Sequence, residues 1–431
     1  MKGIGLTGFI MFILFGSGLT ASGAHPVALR DIVQSFASEL VAIRRHLHMY
    51  PELSNRETKT AAYLAERLRA MGIDEVVTGV ARTGVIGILK GTAPGPVVAV
   101  RADMDALPVD EVIDVPYKSR NPGVKHACGH DVHMTVALGT AMTLIRLRQS
   151  GVSIPGTVVF LFQPAEEGAP PGEEGGAALM VKEGVLEKYG IQAIFGLHSN
   201  PELVAGTVGY RAGPLLASSD RFEIIIEGKQ THGAYPHLGI DPIYLGSQVV
   251  VQLQGIVSRR LDPREPAVVT VGIFEAGRRF NIIPDRARLE GTVRTLNPEL
   301  RKRMPALIEQ VVKGVVETAG ARYQFTYQPM APVTVNDAHL VKRMVPSMKK
   351  ELGDANVFEV EPVMGAEDFA YYAERIPGMY YWLGVRDPKD PVIRPLHSPE
   401  FDVDERSLPI GVRVMTRLVL DYLTQPPKGT P

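Results

Sequence analysis

Four short segments of the chain concentrate the side chains that bind cations or move protons. His126-Ala127-Cys128-Gly129-His130-Asp131-Val132-His133, Phe162-Gln163-Pro164-Ala165-Glu166-Glu167-Gly168 and Gly196-Leu197-His198-Ser199 lie at or just beyond apolar runs, and Leu396-His397-Ser398-Pro399-Glu400-Phe401 lies far along the chain. A lone histidine or cysteine is more often packed or exposed than functional, so the case rests on their joint occurrence. Together they offer thiolate, imidazole and carboxylate, a mixture that suits zinc, manganese, cobalt or nickel. The paired acids need different roles. If Glu167 binds a cation, Glu166 remains free to take a proton from a water whose pKa the cation has lowered to about 7. The chemistry this predicts is hydrolysis. Glu173 and Glu174 form a second acidic pair, which reads as solvated in the loop 168–175.

The elements that must position these groups follow from periodicity. Leu29, Ile32, Val33, Phe36, Leu40, Ile43 and Leu47 recur at three and four, predicting one amphipathic helix over 28–48 that stops before Pro51. A second helix is expected over 58–71 and a third over 133–148. Apolar runs at 84–90, 97–102, 157–162 and 193–197 read as strands. Strands alternating with helices predict a mostly parallel sheet covered on both faces, and ligands at strand ends are where such a sheet presents a site. Beyond Gly213 the pattern becomes strand 221–227, helix 241–258, strands 268–274 and 287–295, helix 298–318 and strand 322–327. That βαββαβ order matches a ferredoxin-like unit. The α/β pattern resumes after Pro332, so the fold expected is a discontinuous α/β domain, 25–213 and 331–431, with a smaller α+β domain, 214–330, inserted in it.

The 431 residues suit two or three domains at roughly 150 residues each. Apolar residues at 45% and charged residues at 22% are ordinary globular usage, and the net charge of −1 supplies no field for nucleic acid. Cys128 is the only cysteine, so no intrachain disulfide can form. Residues 1–24 read as a secretory signal peptide: Lys2, an apolar run from Ile4 to Leu19, then Ala21-Ser22-Gly23-Ala24. The expectation is an exported protein, periplasmic or secreted, with no stable membrane insertion once the leader is cleaved.

A wider set of motifs resembles the M20 metallopeptidase family, in the amidohydrolase branch of hippurate hydrolases, aminoacylases and hydrolases of indole-acetyl amino acids. The set comprises Arg45-His46-Leu47-His48 with Pro51-Glu52-Leu53, the run Arg101 to Pro108, the Cys-Gly-His-Asp segment, Gln163 to Glu167, Gly228-Lys229 with the run His232 to His237, Asn281 to Pro284, Glu290 to Arg294, and Gly365 to Phe369. The resemblance implies two divalent metal ions held by Cys128, His130, Glu167, His198 and His397, with Cys128 bridging them, and Glu166 as general base. It implies that the inserted domain is a lid and homodimerisation unit whose His232 reaches the partner's site to stabilise an oxyanion. Asn281 and Arg294 would hold a substrate carboxylate, and Asp105 would orient a ligand. His46 and His48 read as helix packing, His126 and His133 as scaffold, Glu367 and Asp368 as support and Trp382 as core. The loop 168–175 is longer than in plant relatives, and 323–330 lacks an arginine that carboxypeptidase relatives carry. The implied substrate is an N-acyl amino acid. A metallo-carboxypeptidase on short peptides and a non-catalytic ligand-binding protein are the rival readings.

Overall fold

A computed structural model describes residues 29–425 of the chain together with Met1; the leader expected over 1–24 lies outside the described residues. The strands that matter, in chain order, are β1 (Glu75–Val80), β2 (Gly84–Lys90), β3 (Ala93–Asp103), β4 (Pro155–Gln163), β5 (Ala193–Val204), β6 (Val208–Tyr210), β7 (Asp220–Glu227), β8 (Ala267–Ala276), β9 (Arg286–Thr295), β10 (Arg322–Pro329), β11 (Val357–Glu359) and β12 (Gly378–Arg386). The principal helices are α1 (Ala37–Met49), α2 (Thr58–Ala70), α3 (His130–Gln149), α4 (Pro242–Gly255), α5 (Pro298–Thr318), α6 (Ala338–Leu352) and α7 (Ser407–Thr424).

Eight strands form one sheet in the order β1-β2-β4-β3-β5-β12-β6-β11. Its centre, β4-β3-β5-β12, is parallel, and antiparallel pairings flank it. β2, β4 and β12 are buried along nearly their whole length, which is why they read as continuous apolar runs rather than alternating ones. α1, α3 and α7 cover one face through Leu40, Ile43, Leu144 and Leu418. β4 lies on one side of β3 and β5 on the other. Chain direction therefore diverges at β3, and a crevice opens beyond the carboxyl ends of these strands.

The smaller sheet is antiparallel in the order β8-β9-β7-β10. Its core is separate: Phe222, Ile224 and Ile226 of β7 meet Leu245, Val249 and Leu253 of α4 and Leu300, Met304, Ile308 and Val312 of α5. The spacing by three and four on both helices turns a single stripe to the sheet. Each helix starts on a local signal, Asp241 or Asn297 accepting the next free backbone N–H groups ahead of a proline in the first turn.

The helix expected over 28–48 is two helices, Leu29–Gln34 and Ala37–Met49. The Ser35 hydroxyl donates to the Ile32 carbonyl at 2.6 Å, competing with the next helical bond, and Phe36 leaves helical geometry with its side chain buried.

Candidate metal centre

The donor groups come from the strands of the large sheet and from the segments that follow or precede its elements. Asp103 ends β3 and Asp105 follows it; Gln163 ends β4 and leads through Ala165, at φ +53°, to Glu166 and Glu167. His198 lies within β5, opposite Trp382 of β12. His130 opens α3, one residue after Gly129 and two after Cys128. His397 comes from the segment between β12 and α7, with φ +64° and its N–H donating to the Ala127 carbonyl at 2.8 Å.

Hydrogen bonds set which lone pair each imidazole offers. His130 Nδ1 donates to the Asp105 carbonyl at 2.8 Å, leaving Nε2 buried and without a partner. His198 Nδ1 donates to the Ser199 carbonyl at 2.8 Å, and its Nε2 is 3.4 Å from Cys128 Sγ. His397 Nε2 lies 3.3 Å from Cys128 Sγ and 3.3 Å from Glu167 Oε1. Glu167 Oε1, also buried without a hydrogen-bond partner, is 3.9 Å from His130 Nε2. The donor atoms of Cys128, His130 and His198 cluster within 4.8 Å, as do those of Cys128, Glu167 and His397, so Cys128 is common to both triplets. The buried His130 Nε2 and Glu167 Oε1, which no protein group satisfies, fit divalent cations, and the sulfur–nitrogen–carboxylate set fits the metals expected from sequence.

Electrostatics point the same way. Burial, with Glu167 and Glu166 nearby, pushes the Cys128 thiol well above its ordinary range, so only added positive charge would make it a thiolate. Burial opposes charge on His130, yet Asp103 and Asp105 outweigh it and push the imidazole up to about 10. Both effects describe a pocket with surplus negative charge. Glu166 is raised by burial first and by Glu367 next, and its carboxylate clusters with those of Glu367 and Asp368.

Two groups hold this arrangement: Asp105, expected from sequence to orient a ligand, and Arg101, to which sequence reasoning gave no role. The Asp105 carboxylate accepts the backbone N–H of Glu166 at 3.1 Å, that of Glu167 at 3.0 Å and the Ser54 hydroxyl at 2.7 Å, so Asp105 fixes both acids with its side chain and His130 with its carbonyl. Arg101, fully buried in β3, donates to Gln163 at 2.9 Å, Asp103 at 2.6 Å, Glu367 at 2.8 Å and Asp368 at 2.7 Å. Its signal in the sequence is a charge inside an apolar strand, which needs carboxylates around it.

A cavity of about 1310 Å³ lies over the donors, and its walls include Cys128, Glu166, Glu167, His198 and His397 from the large sheet with Ser219, Arg294 and Met330 from the smaller one. Arg294 makes no ion pair among the described residues. Asn281 and His232 are not in that wall. His232 is exposed on a two-residue strand paired with Ile282, its Nδ1 accepting the Ala234 N–H at 3.0 Å, and the Asn281 amide oxygen is buried without a partner. Glu173 is partly exposed and held by an exposed pair: Arg56 bonds it at 2.6 Å and Asn55 at 3.0 Å, and both partners precede α2, far from it in sequence. Glu174 is largely exposed and pairs with Lys182. Trp382 is buried but not only core, since it meets the His198 ring and lines the cavity.

The sequence profile of Peptidase family M20/M25/M40 matches residues 99–421. The chain is 41% identical over 395 residues to IAA-amino acid hydrolase ILR1-like 4 of Arabidopsis thaliana, covering 90% of this chain and 87% of that protein. It is 38% identical over 396 residues to thermostable carboxypeptidase 2 of Saccharolobus solfataricus, covering 91% and 98%. The crystal structure of the Bacillus subtilis YXEP protein, described as a dinuclear metal binding peptidase, superposes with a TM-score of 0.77 at 37% identity, covering 91% of this chain and 99% of that one.

Proposed function

The chain belongs to Peptidase family M20/M25/M40 and is a metal-dependent hydrolase of amide bonds, and from that premise we propose that it cleaves N-acyl amino acids to an acid and a free amino acid. The observation that carries this reading is a cavity with apolar walls, Leu179, Leu216, Val363 and Met364, and one cation without an ion-pair partner among the described residues, Arg294. Apolar walls suit an acyl group, and a guanidinium suits a single free carboxylate. Cys128, His130, Glu167, His198 and His397 would hold two divalent cations, drawn from zinc, manganese, cobalt and nickel. Bound cations supply the Lewis acidity that activates water and polarises an amide carbonyl.

The remaining steps belong to side chains. Glu166 accepts the proton of the attacking water at its carboxylate and returns it to the departing amine. Arg294, in the cavity wall, holds the substrate carboxylate, and Asn281, outside that wall beside His232, joins it from a second copy. His232, exposed and outside the wall of its own cavity, acts on the site of a second copy as an oxyanion donor. A homodimer through the smaller sheet is supported by exposed apolar side chains there, Ile243, Tyr244 and Val251 on α4 and Ile273 and Phe274 on β8.

Glu166→Gln tests the mechanism: we expect unchanged metal content and a kcat lower by roughly 10²–10⁴-fold. Near-native turnover in that variant would remove Glu166 from the chemistry. Mixing Glu166→Gln with His232→Ala subunits should restore one working site per mixed dimer. Similarity to a carboxypeptidase favours one rival, action on short peptides; hippurate, acetyl-amino acids and dipeptides assayed side by side separate the two.

A further inference from the structure

His397 differs from the other donors in how it is held. It lies far from both the end of β12 at Arg386 and the start of α7 at Ser407, and its side chain is 53% exposed, whereas the Cys128, His130 and His198 side chains are buried. A donor on such a segment needs fastening from elsewhere, and the fastening comes from the first part of the chain. Lys125 Nζ donates to the Pro399 carbonyl at 2.8 Å. Arg44 of α1 donates to Asp402 at 3.0 Å, and the Tyr117 hydroxyl donates to the other Asp402 oxygen at 2.9 Å.

Arg44 makes one further contact that gives this network a direction. Its Nε donates at 2.8 Å to Asp131, the neighbour of His130 in α3. His48, one turn along α1, shares Asp131 at 2.8 Å and reaches Glu111 at 3.0 Å. Arg44, His48 and Asp131 are all fully buried. A buried ionic network is seldom more stable than apolar packing of the same volume, so stability alone does not account for a guanidinium here. What apolar side chains could not do is tie the neighbour of one donor to the segment carrying another in a single geometry.

We propose that Arg44, with Lys125 and Tyr117, is a clamp of positioning residues that holds the 395–402 segment against α3, so that His397 completes the triplet with Cys128 and Glu167. The inference rests on reading the donors as a two-cation centre. Loosening the clamp releases the cation at Cys128, Glu167 and His397 and leaves the one at Cys128, His130 and His198 in place.

The test uses full-length protein and zinc as the probe. Asp402→Asn is the first variant, since it keeps the side chain's size and leaves Arg44 paired with Asp131; Tyr117→Phe is the milder second one, and Arg44→Met the severe one. Zinc titration calorimetry of the wild type should show two sites. In Asp402→Asn one site should weaken by roughly 10–100-fold, the scale of losing an orienting partner, with the other unchanged and a smaller effect in the same direction in Tyr117→Phe. Hydrogen exchange of the zinc-free proteins should rise in 395–402 and not in α3. Two wild-type sites that weaken together in the variants, or neither weakening with exchange unchanged, overturn the clamp alone. A wild-type chain that takes up a single zinc overturns the two-cation reading, and the clamp with it.

Discussion

A neutral imidazole has one lone pair, and the hydrogen bonds it makes decide which nitrogen presents it and whether it is already taken, which separates the buried histidines that cluster here. His130 and His198 each donate Nδ1–H to a backbone carbonyl, which leaves His130 Nε2 without a partner and turns His198 Nε2 to the Cys128 sulfur. His133 gives Nδ1–H to Asp103 at 2.6 Å and accepts the Ser199 N–H on Nε2 at 2.9 Å, so it has nothing left for a cation. Sequence supplies the donor types, and their joint presence made the candidate set legible. It does not supply the partners, because the carbonyl that orients His130 belongs to another element. Glu57 was missed for the same reason: it accepts the Ala165 N–H at 2.9 Å and the Thr83 hydroxyl at 2.6 Å beneath the acid loop. Burial, and then Asp105, push Glu57 from 4.5 up to about 7. A folded pKa above the unfolded one gives stability that is complete below about 4.5 and is lost as pH rises through about 7. Glu57→Gln should therefore gain thermal stability relative to wild type across that window, by on the order of 3 kcal/mol at its upper end. A difference in melting temperature that stays flat with pH would refute it.

At the scale of elements, boundaries go wrong where chemistry displaces periodicity. Apolar spacing starts the third helix at 133, but α3 begins at His130, because its first turn carries His130 and Asp131 in place of apolar residues. Gly129 makes that start possible: it sits at φ +91°, and a Cβ there would lie 2.0 Å from Ser199 Oγ. Gly129→Ala should be destabilised by more than the roughly 1–2 kcal/mol of the left-handed conformation alone, with lower zinc content. A melting temperature equal to wild type would show that the turn relaxes at no cost. The break at Ser35 and Phe36 was illegible for the converse reason, since the apolar spacing continues across it while the backbone does not.

At the scale of the molecule, the βαββαβ order of the smaller sheet was legible because its core is built from residues near one another in sequence. The latch that pins together the two ends of that unit, where the chain enters and leaves it, was not. Asp220, fully buried at the start of β7, accepts Arg301 at 2.7 Å, the Tyr327 hydroxyl at 2.9 Å and the N–H of Met330 at 3.1 Å, where the chain leaves the unit. Asp220→Ala strands a cation and a phenol, so it should cost roughly 3–5 kcal/mol in urea unfolding, and it should raise KM because Met330 and Arg294 line the cavity. An unchanged unfolding midpoint would mean that the ends of the unit are held together by other contacts. Cys128 has a consequence on the same scale. The chain owns one sulfhydryl, and that atom belongs to both donor triplets. On the proposed two-cation centre, oxidation of that single atom would withdraw a ligand from both halves together, so a subunit would have no half-disarmed state under oxidative stress, and damage across a population would be counted in whole subunits.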